Sequence, residues 1–112
     1  MALYQRGDIV AVQFPFTDRS QTKKRPALVI SNDSVNATGD YLLIQITSQV
    51  KGDHLSISIN DSDFVDNPLP LTGFVRVHKV FLLNESLITN HITSVNPPFT
   101  KLLVDALLKL IS

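Results

Sequence analysis

Lys23-Lys24-Arg25-Pro26-Ala27-Leu28-Val29-Ile30-Ser31 sets three consecutive cations directly against an apolar, β-prone run. Proline at 26 fixes its own φ and drives Arg25 toward an extended conformation. The short apolar run from Ala27 to Ile30 reads as a buried strand. Arg25 is thereby expected at the mouth of a strand running from 25 to 31, held by rigid backbone. An arginine so placed has two readings. It is a phosphate ligand, always charged and carrying a planar fork of donors, or it is a solubilising charge that flanks a hydrophobic strand.

Working outward, Gly7-Asp8 reads as a turn and Ile9 to Phe14 as a strand rich in β-branched residues. Pro15 to Thr22 is a polar loop without period, a natural binding rim. Phe16 within it is either a lid over the end of a barrel or a surface for base stacking. On the other side, Asn32 to Asp40 is a polar, turn-forming excursion. Tyr41 to Thr47 is the most apolar strand, expected at the centre of the sheet and buried on both faces. It emerges at Thr47-Ser48-Gln49, three side chains that both donate and accept hydrogen bonds. His54 to Asn60 alternates, with Leu55, Ile57 and Ile59 inward. Residues 61–72 read as a long loop, and Gly73 to Val80 as a strand running on toward Leu83. Leu87 to Val95 is ambiguous between a short strand and irregular chain.

The C-terminal stretch opens with Asn96 as N-cap and Pro97 at the first helical position. Phe99, Leu102, Leu103, Ala106, Leu107 and Leu110 then form one apolar stripe at helical spacing. Lys101, Asp105 and Lys109 lie off it. Short strands separated by turn signals, followed by one helix, predict a mainly β architecture, a small barrel closed by a helix.

A chain of 112 residues is expected to form a single domain over 1–112 with one modest core. An apolar share of 44% argues against disorder. There is neither a bilayer-length apolar run nor a secretory leader, so no membrane association is expected. The lack of cysteine excludes disulfides and zinc–thiolate sites and fits a cytoplasmic protein. Ten basic and ten acidic residues cancel, so no global field recruits nucleic acid. The balance is local instead. Arg19, Lys23, Lys24 and Arg25 form a basic patch, while Asp53, Asp61, Asp63 and Asp66 make an acidic stretch in which Lys51-Gly52-Asp53 reads as a turn and the other three acids as a solvated loop. His54, His78 and His91 have no metal-ligand spacing, and no P-loop, nucleophile elbow or dinucleotide fingerprint occurs. Neither a metal nor a cofactor is expected.

Arg25 and Thr47 are the candidates for chemistry. If their strands are antiparallel neighbours, the start of one lies beside the end of the other. A cation beside hydroxyl donors suits a phosphate oxygen that gains charge. The alternative is that Thr47 and Ser48 merely hydrogen-bond the backbone at a strand end.

Gly7-Asp8-Ile9-Val10, Phe14-Pro15-Phe16-Thr17-Asp18, Lys24-Arg25-Pro26-Ala27-Leu28-Val29-Ile30-Ser31, Ile46-Thr47-Ser48 and Val75-Arg76-Val77-His78-Lys79, taken in this order, resemble the PemK/MazF family over nearly the whole chain. Those proteins are toxins of type II toxin–antitoxin systems. The resemblance implies an SH3-like barrel of the CcdB/PemK type with a C-terminal helix, and a homodimer. It implies sequence-specific, metal-independent cleavage of single-stranded RNA by attack of the ribose 2′-hydroxyl, and inhibition by a cognate antitoxin that joins it on DNA. The family arginine corresponds to Arg25 and the family threonine to Thr47. Thr17, Asp18, Gln21, Lys23, Lys24, Ser48, Gln49, His78 and Lys79 are the candidate RNA contacts. The loop Asp18-Arg19-Ser20-Gln21-Thr22 lacks the glycine and glutamate of some members, and His78-Lys79 replaces their Asp-Gln. Two other readings accompany this one: a non-enzymatic, CcdB-like toxin that binds a protein such as DNA gyrase, and a degenerate member that binds only its antitoxin.

Overall fold

The apolar runs become the strands β1 (Asp8–Phe14), β2 (Lys23–Val29), β3 (Asp40–Thr47), β4 (Ser56–Ile59), β5 (Gly73–Asn84) and β6 (Ile88–Ser94), with helix α1 (Asp33–Asn36) before β3 and α2 (Pro97–Ile111) after β6. The structure is a computed structural model that describes residues 2–14, 23–49, 52–70 and 73–112, with Phe14 and Lys23 described by their backbone. All strand pairs are antiparallel, in the order β4-β5-β3-β2-β1-β6. β3 is central, as its apolar run predicts. Its Tyr41 and Leu43 enter one apolar cluster, and Ile44 and Ile46 enter another on the opposite face.

The sheet closes on itself. Ile59 of the edge strand β4 shares a cluster with Ile9 of β1 and with Val95, just past the opposite edge strand β6. A 3₁₀ turn at Asp61–Asp63 carries the chain from one edge to the other. Phe64 then bridges to Val95, and the Val65 N–H donates to the Ser94 carbonyl at 2.8 Å. The Thr93 hydroxyl donates to the Asn67 carbonyl at 2.7 Å. Covering an edge in this way removes its unpaired backbone groups from competing partners. Helix α2 stops the open end with Phe99 and Leu103, both buried. Asn96 caps it by accepting the Phe99 N–H at 3.0 Å. The barrel closed by a helix that the strand spacing predicts is therefore the architecture found.

The second cluster lies on the outer face of the sheet, where Ala2 and Tyr4 of the N-terminal segment and Leu87 before β6 cover Val10, Val12, Val29 and Leu43. Tyr41, fully buried, accepts the Leu3 N–H at 3.2 Å and the Tyr4 N–H at 3.4 Å, and donates to Glu85 Oε2 at 2.9 Å. Gly7 makes the entry turn. Its φ of +98° suits glycine, and a Cβ there would stand 3.1 Å from the Val95 carbonyl oxygen.

Four local expectations change. β2 starts at Lys23, so Arg25 stands inside the strand and not at its mouth. Pro26 is tolerated because the ladder to β3 begins only at Ala27. The polar excursion after β2 holds a helical turn, α1, since the Asn32 side chain accepts the N–H groups of Ser34 and Val35. The ambiguous stretch after Leu87 is the strand β6, whose ladder to β1 shifts register twice. The apolar stripe of α2 is only half used. Phe99, Leu103 and Leu107 form the row that faces the core, whereas Leu102 and Leu110 stand exposed in the next row. Among the described residues, no helix is long and apolar enough to cross a membrane.

Candidate functional site

The β2–β3 ladder pairs Ala27 with Gln45 and Val29 with Leu43. Continuing that register by two residues sets Arg25 opposite Thr47. Thr47 in turn pairs with Phe74 of β5. Directly paired residues share a face of the sheet, and alternate residues along a strand return to it. Arg25, Thr47 and, two residues beyond Phe74, Arg76 therefore form a row across three strands. The juxtaposition of Arg25 and Thr47 that antiparallel neighbours would give is present.

This row lies in an open groove with a cavity volume of about 1020 Å³. Lys24, Arg25, Arg76 and Lys79 line it, and no acidic residue does so among the described ones. Gln45, Thr47, Ser48 and Gln49 supply polar groups along β3 and its exit, while Pro26, Leu69, Pro70 and Ile92 make an apolar wall. Lys24, Arg25 and Lys79 form no ion pair with another described residue. A neutral chain thus gathers one sign of charge along a single depression, where field lines focus. The Thr47 hydroxyl accepts the Gln49 N–H at 3.1 Å. Thr47 does bond to backbone, then, and a hydroxyl that accepts one bond keeps its own hydrogen to donate.

Of the other candidates, Ser48 and Gln49 line the groove, as do Lys24 and Lys79. His78 is exposed beside it, its Nε2 3.4 Å from Arg76 Nη2. Thr17, Asp18 and Gln21, with Phe16, lie outside the described residues, and so does the side chain of Lys23.

The sequence assigns no role to Arg76 and marks Asp53 only as a turn residue. The structure joins them. Arg76 Nη1 donates to Asp53 Oδ1 at 2.9 Å and Nη2 to Oδ2 at 2.7 Å. Nη1 also donates to Ser56 Oγ at 2.8 Å, its direct cross-strand neighbour. The Arg76 hydrogen bonds, followed by the Leu55 N–H, hold the Asp53 carboxyl well below the usual carboxylate range. The same bonds raise the Arg76 guanidinium above its ordinary value. One signal was available in the sequence: a lone cation in the apolar run Phe74-Val75-Arg76-Val77. Its partner, 23 residues away, left none.

A family model for PemK-like, MazF-like toxins of type II toxin–antitoxin systems matches residues 5–111. The chain belongs to this family. Its fold agrees with that of solved structures. A mycobacterial endoribonuclease in complex with its cognate antitoxin superposes with a TM-score of 0.77 at 20% identity, over 96% of this chain and 94% of that one. The MazE–MazF complex of Deinococcus radiodurans (form III) gives 0.78 at 21%, over 97% and 96%. The Mycobacterium tuberculosis toxin MazF-mt6 gives 0.71 at 15%, over 93% and 95%. At these identities the likeness is one of fold. Comparison with curated protein sequences gives no match. Within this PemK/MazF-like chain, the motifs from Gly7-Asp8 to His78-Lys79 all fall inside the matched span.

Proposed function

We propose that the chain is a toxin that cleaves single-stranded RNA in the groove between β2, β3 and β5, and that a cognate antitoxin inhibits it. The observation that carries this reading is the row of Arg25, Thr47 and Arg76 in a groove lined by cations and by no described acid. An RNA strand brings one charge per nucleotide to such a surface.

In this mechanism the ribose 2′-oxygen attacks the adjacent phosphorus and the bond to the 5′-oxygen breaks. The net proton transfer runs from the 2′-hydroxyl to the departing 5′-oxygen. The products are a 2′,3′-cyclic phosphate and a 5′-hydroxyl. Charge grows on the non-bridging oxygens at the transition state. Arg25 meets it with a fixed, permanently charged donor fork, and Thr47 donates its hydroxyl hydrogen to one of those oxygens. Arginine is a poor proton carrier, so the role of Arg25 is electrostatic. Lys24, Ser48, Gln49 and Lys79 hold the flanking phosphates and bases, with Thr17, Asp18, Gln21, Lys23 and His78 completing the contacts.

The test is incubation of purified protein with a long single-stranded RNA in EDTA, followed by mapping of fragment ends. Discrete fragments with 5′-hydroxyl ends, absent with Arg25→Ala, establish the reading. Intact RNA from protein that still arrests growth assigns the chain to the protein-binding, CcdB-like class. Intact RNA without arrest marks it as a binder of its antitoxin alone.

A further inference from the structure

Arg76 lines the groove, yet its charge is already answered from within the chain. Its side chain is 8% exposed and that of Asp53 41%, so Arg76 reaches the groove lining while its carboxylate partner stands outside that lining on the solvent side. Guanidinium carries five N–H donors in a flat fork. Here the two terminal nitrogens grip both oxygens of Asp53, with Ser56 taking a further hydrogen from Nη1. This two-point geometry is the one by which arginine also grips phosphate.

We propose that Asp53 is an internal anion seated in the Arg76 fork, and that a phosphate of a bound polynucleotide engages Arg76 by exchange with this carboxylate. The inference rests on the polynucleotide reading of the groove given above.

Two features of the β3–β4 turn support exchange over a fixed strut. His54, next to Asp53, has φ +62°, a left-handed conformation uncommon outside glycine, although histidine adopts it more readily than most side chains. A Cβ at Gly52, on the other side, would meet no atom of a described residue within 4 Å. Among the described residues, the turn is tied to β5 by Asp53 through Arg76 and by the Val77 N–H, which donates to the Leu55 carbonyl at 2.9 Å, and the Leu55 N–H in turn donates to Asp53 Oδ1 at 3.1 Å. Releasing the carboxylate returns an exposed acid to water.

The arrangement has a clear use. An arginine this buried and left without an anion carries a desolvation penalty. Asp53 removes that penalty while the groove is empty. A phosphate then replaces one anion by another, so Arg76 adds little to the grip on a lone phosphate. A strand already held at Lys24, Arg25 and Lys79 displaces Asp53 at small cost. The exchange therefore favours polynucleotides over mononucleotides.

The experiment measures binding of a fluorescent single-stranded oligodeoxynucleotide, which lacks the 2′-hydroxyl and is not cleaved, by wild-type protein, Asp53→Asn, Arg76→Gln and the double variant across a salt series. Asp53→Asn is expected to bind several-fold tighter at low salt, with the log–log salt slope steeper by about 0.7, one further phosphate on a single strand. That gain is expected to vanish on the Arg76→Gln background. Equal or weaker binding by Asp53→Asn, or a gain that persists without Arg76, overturns the exchange. A spectroscopic readout on wild-type protein guards against a disturbed turn in the variant. The Arg76 guanidinium and Leu55 amide resonances should both move as the oligonucleotide is added, and resonances that stay still while it binds overturn the proposal. No binding by any of the four proteins sinks the polynucleotide reading itself, whereas binding without the Asp53 effect sinks only the exchange.

Discussion

Asp53 and Arg76 meet at two points, 2.9 and 2.7 Å, across a turn and a strand pairing that bring together residues 23 apart. The contact ties the β3–β4 turn to β5 and makes stability depend on acid. The folded-state pKa of Asp53 lies below its unfolded value because Arg76 favours the carboxylate. Its contribution is thus fully present above the unfolded value of about 3.9 and is lost as pH falls from there toward the folded value. Asp53 is partly exposed, so solvent screens the pair and the effect is modest. Urea midpoints measured against pH should place wild type above Asp53→Asn at neutral pH, with the gap closing below about pH 4. A constant gap across that window would show that the pair contributes nothing through ionisation.

Arg25→Ala should lower RNA cleavage by about 10²–10³-fold, the range for losing one donor aimed at transition-state charge. Arg25 is exposed and forms no ion pair with a described residue, so thermal unfolding should barely change. Undiminished cleavage by the folded variant would remove Arg25 from the mechanism.

Thr47 separates by chemistry and not by size. Thr47→Ser keeps the hydroxyl that accepts the Gln49 N–H, and cleavage should stay within a few-fold of wild type. Thr47→Val keeps the shape and loses a hydrogen bond to a charged group, about 1.5–3 kcal/mol or roughly ten- to a hundredfold in rate. Steady-state rates for the two variants decide this, and equal activity would leave Thr47 with a structural role only.

Tyr41→Phe removes the one oxygen that gathers the Leu3 and Tyr4 N–H groups and Glu85. Its cost should be about 1–3 kcal/mol from the polar groups left without a partner. Burial and the Glu85 bond push the Tyr41 phenol up, which keeps it protonated and donating. Urea denaturation gives the stability change, and limited proteolysis should show earlier cleavage near the N-terminus. An unchanged midpoint would mean that the segment is held by packing alone.

The exposed row of α2 bears on assembly. Leu108 and Ile111 stand out elsewhere on the helix, while Leu102 and Leu110, which share that row, are 51% and 45% exposed. A second copy that covers them would bury this surface twice, and sedimentation at micromolar concentration should report a dimer. A monomer there would leave the face to another partner.

Strands β1 to β5 were legible in the sequence because each carries its own period and its own bounding turn residues, whereas β6 lacks a clear period and stayed ambiguous. The run around Ala27 to Ile30 reads as a buried strand, and Asn96-Pro97-Pro98 starts a helix, through contacts a few residues long. Arg25 and Thr47 could also be placed, since an antiparallel register converts two strand ends into one location. Other features depended on where the sheet curls. The row Leu102, Ala106, Leu110 has the same helical spacing as Phe99, Leu103, Leu107, yet the barrel mouth takes only the second row. The sequence marks both rows as apolar, and the curvature of the sheet selects between them. The same holds for charge. Arg25 and Arg76 look alike as cations beside apolar residues. The tertiary structure leaves the first open to the groove and gives the second an anion. The Asp53–Arg76 pairing is set by strand register and turn geometry together, and the identity of either side chain alone does not reveal it.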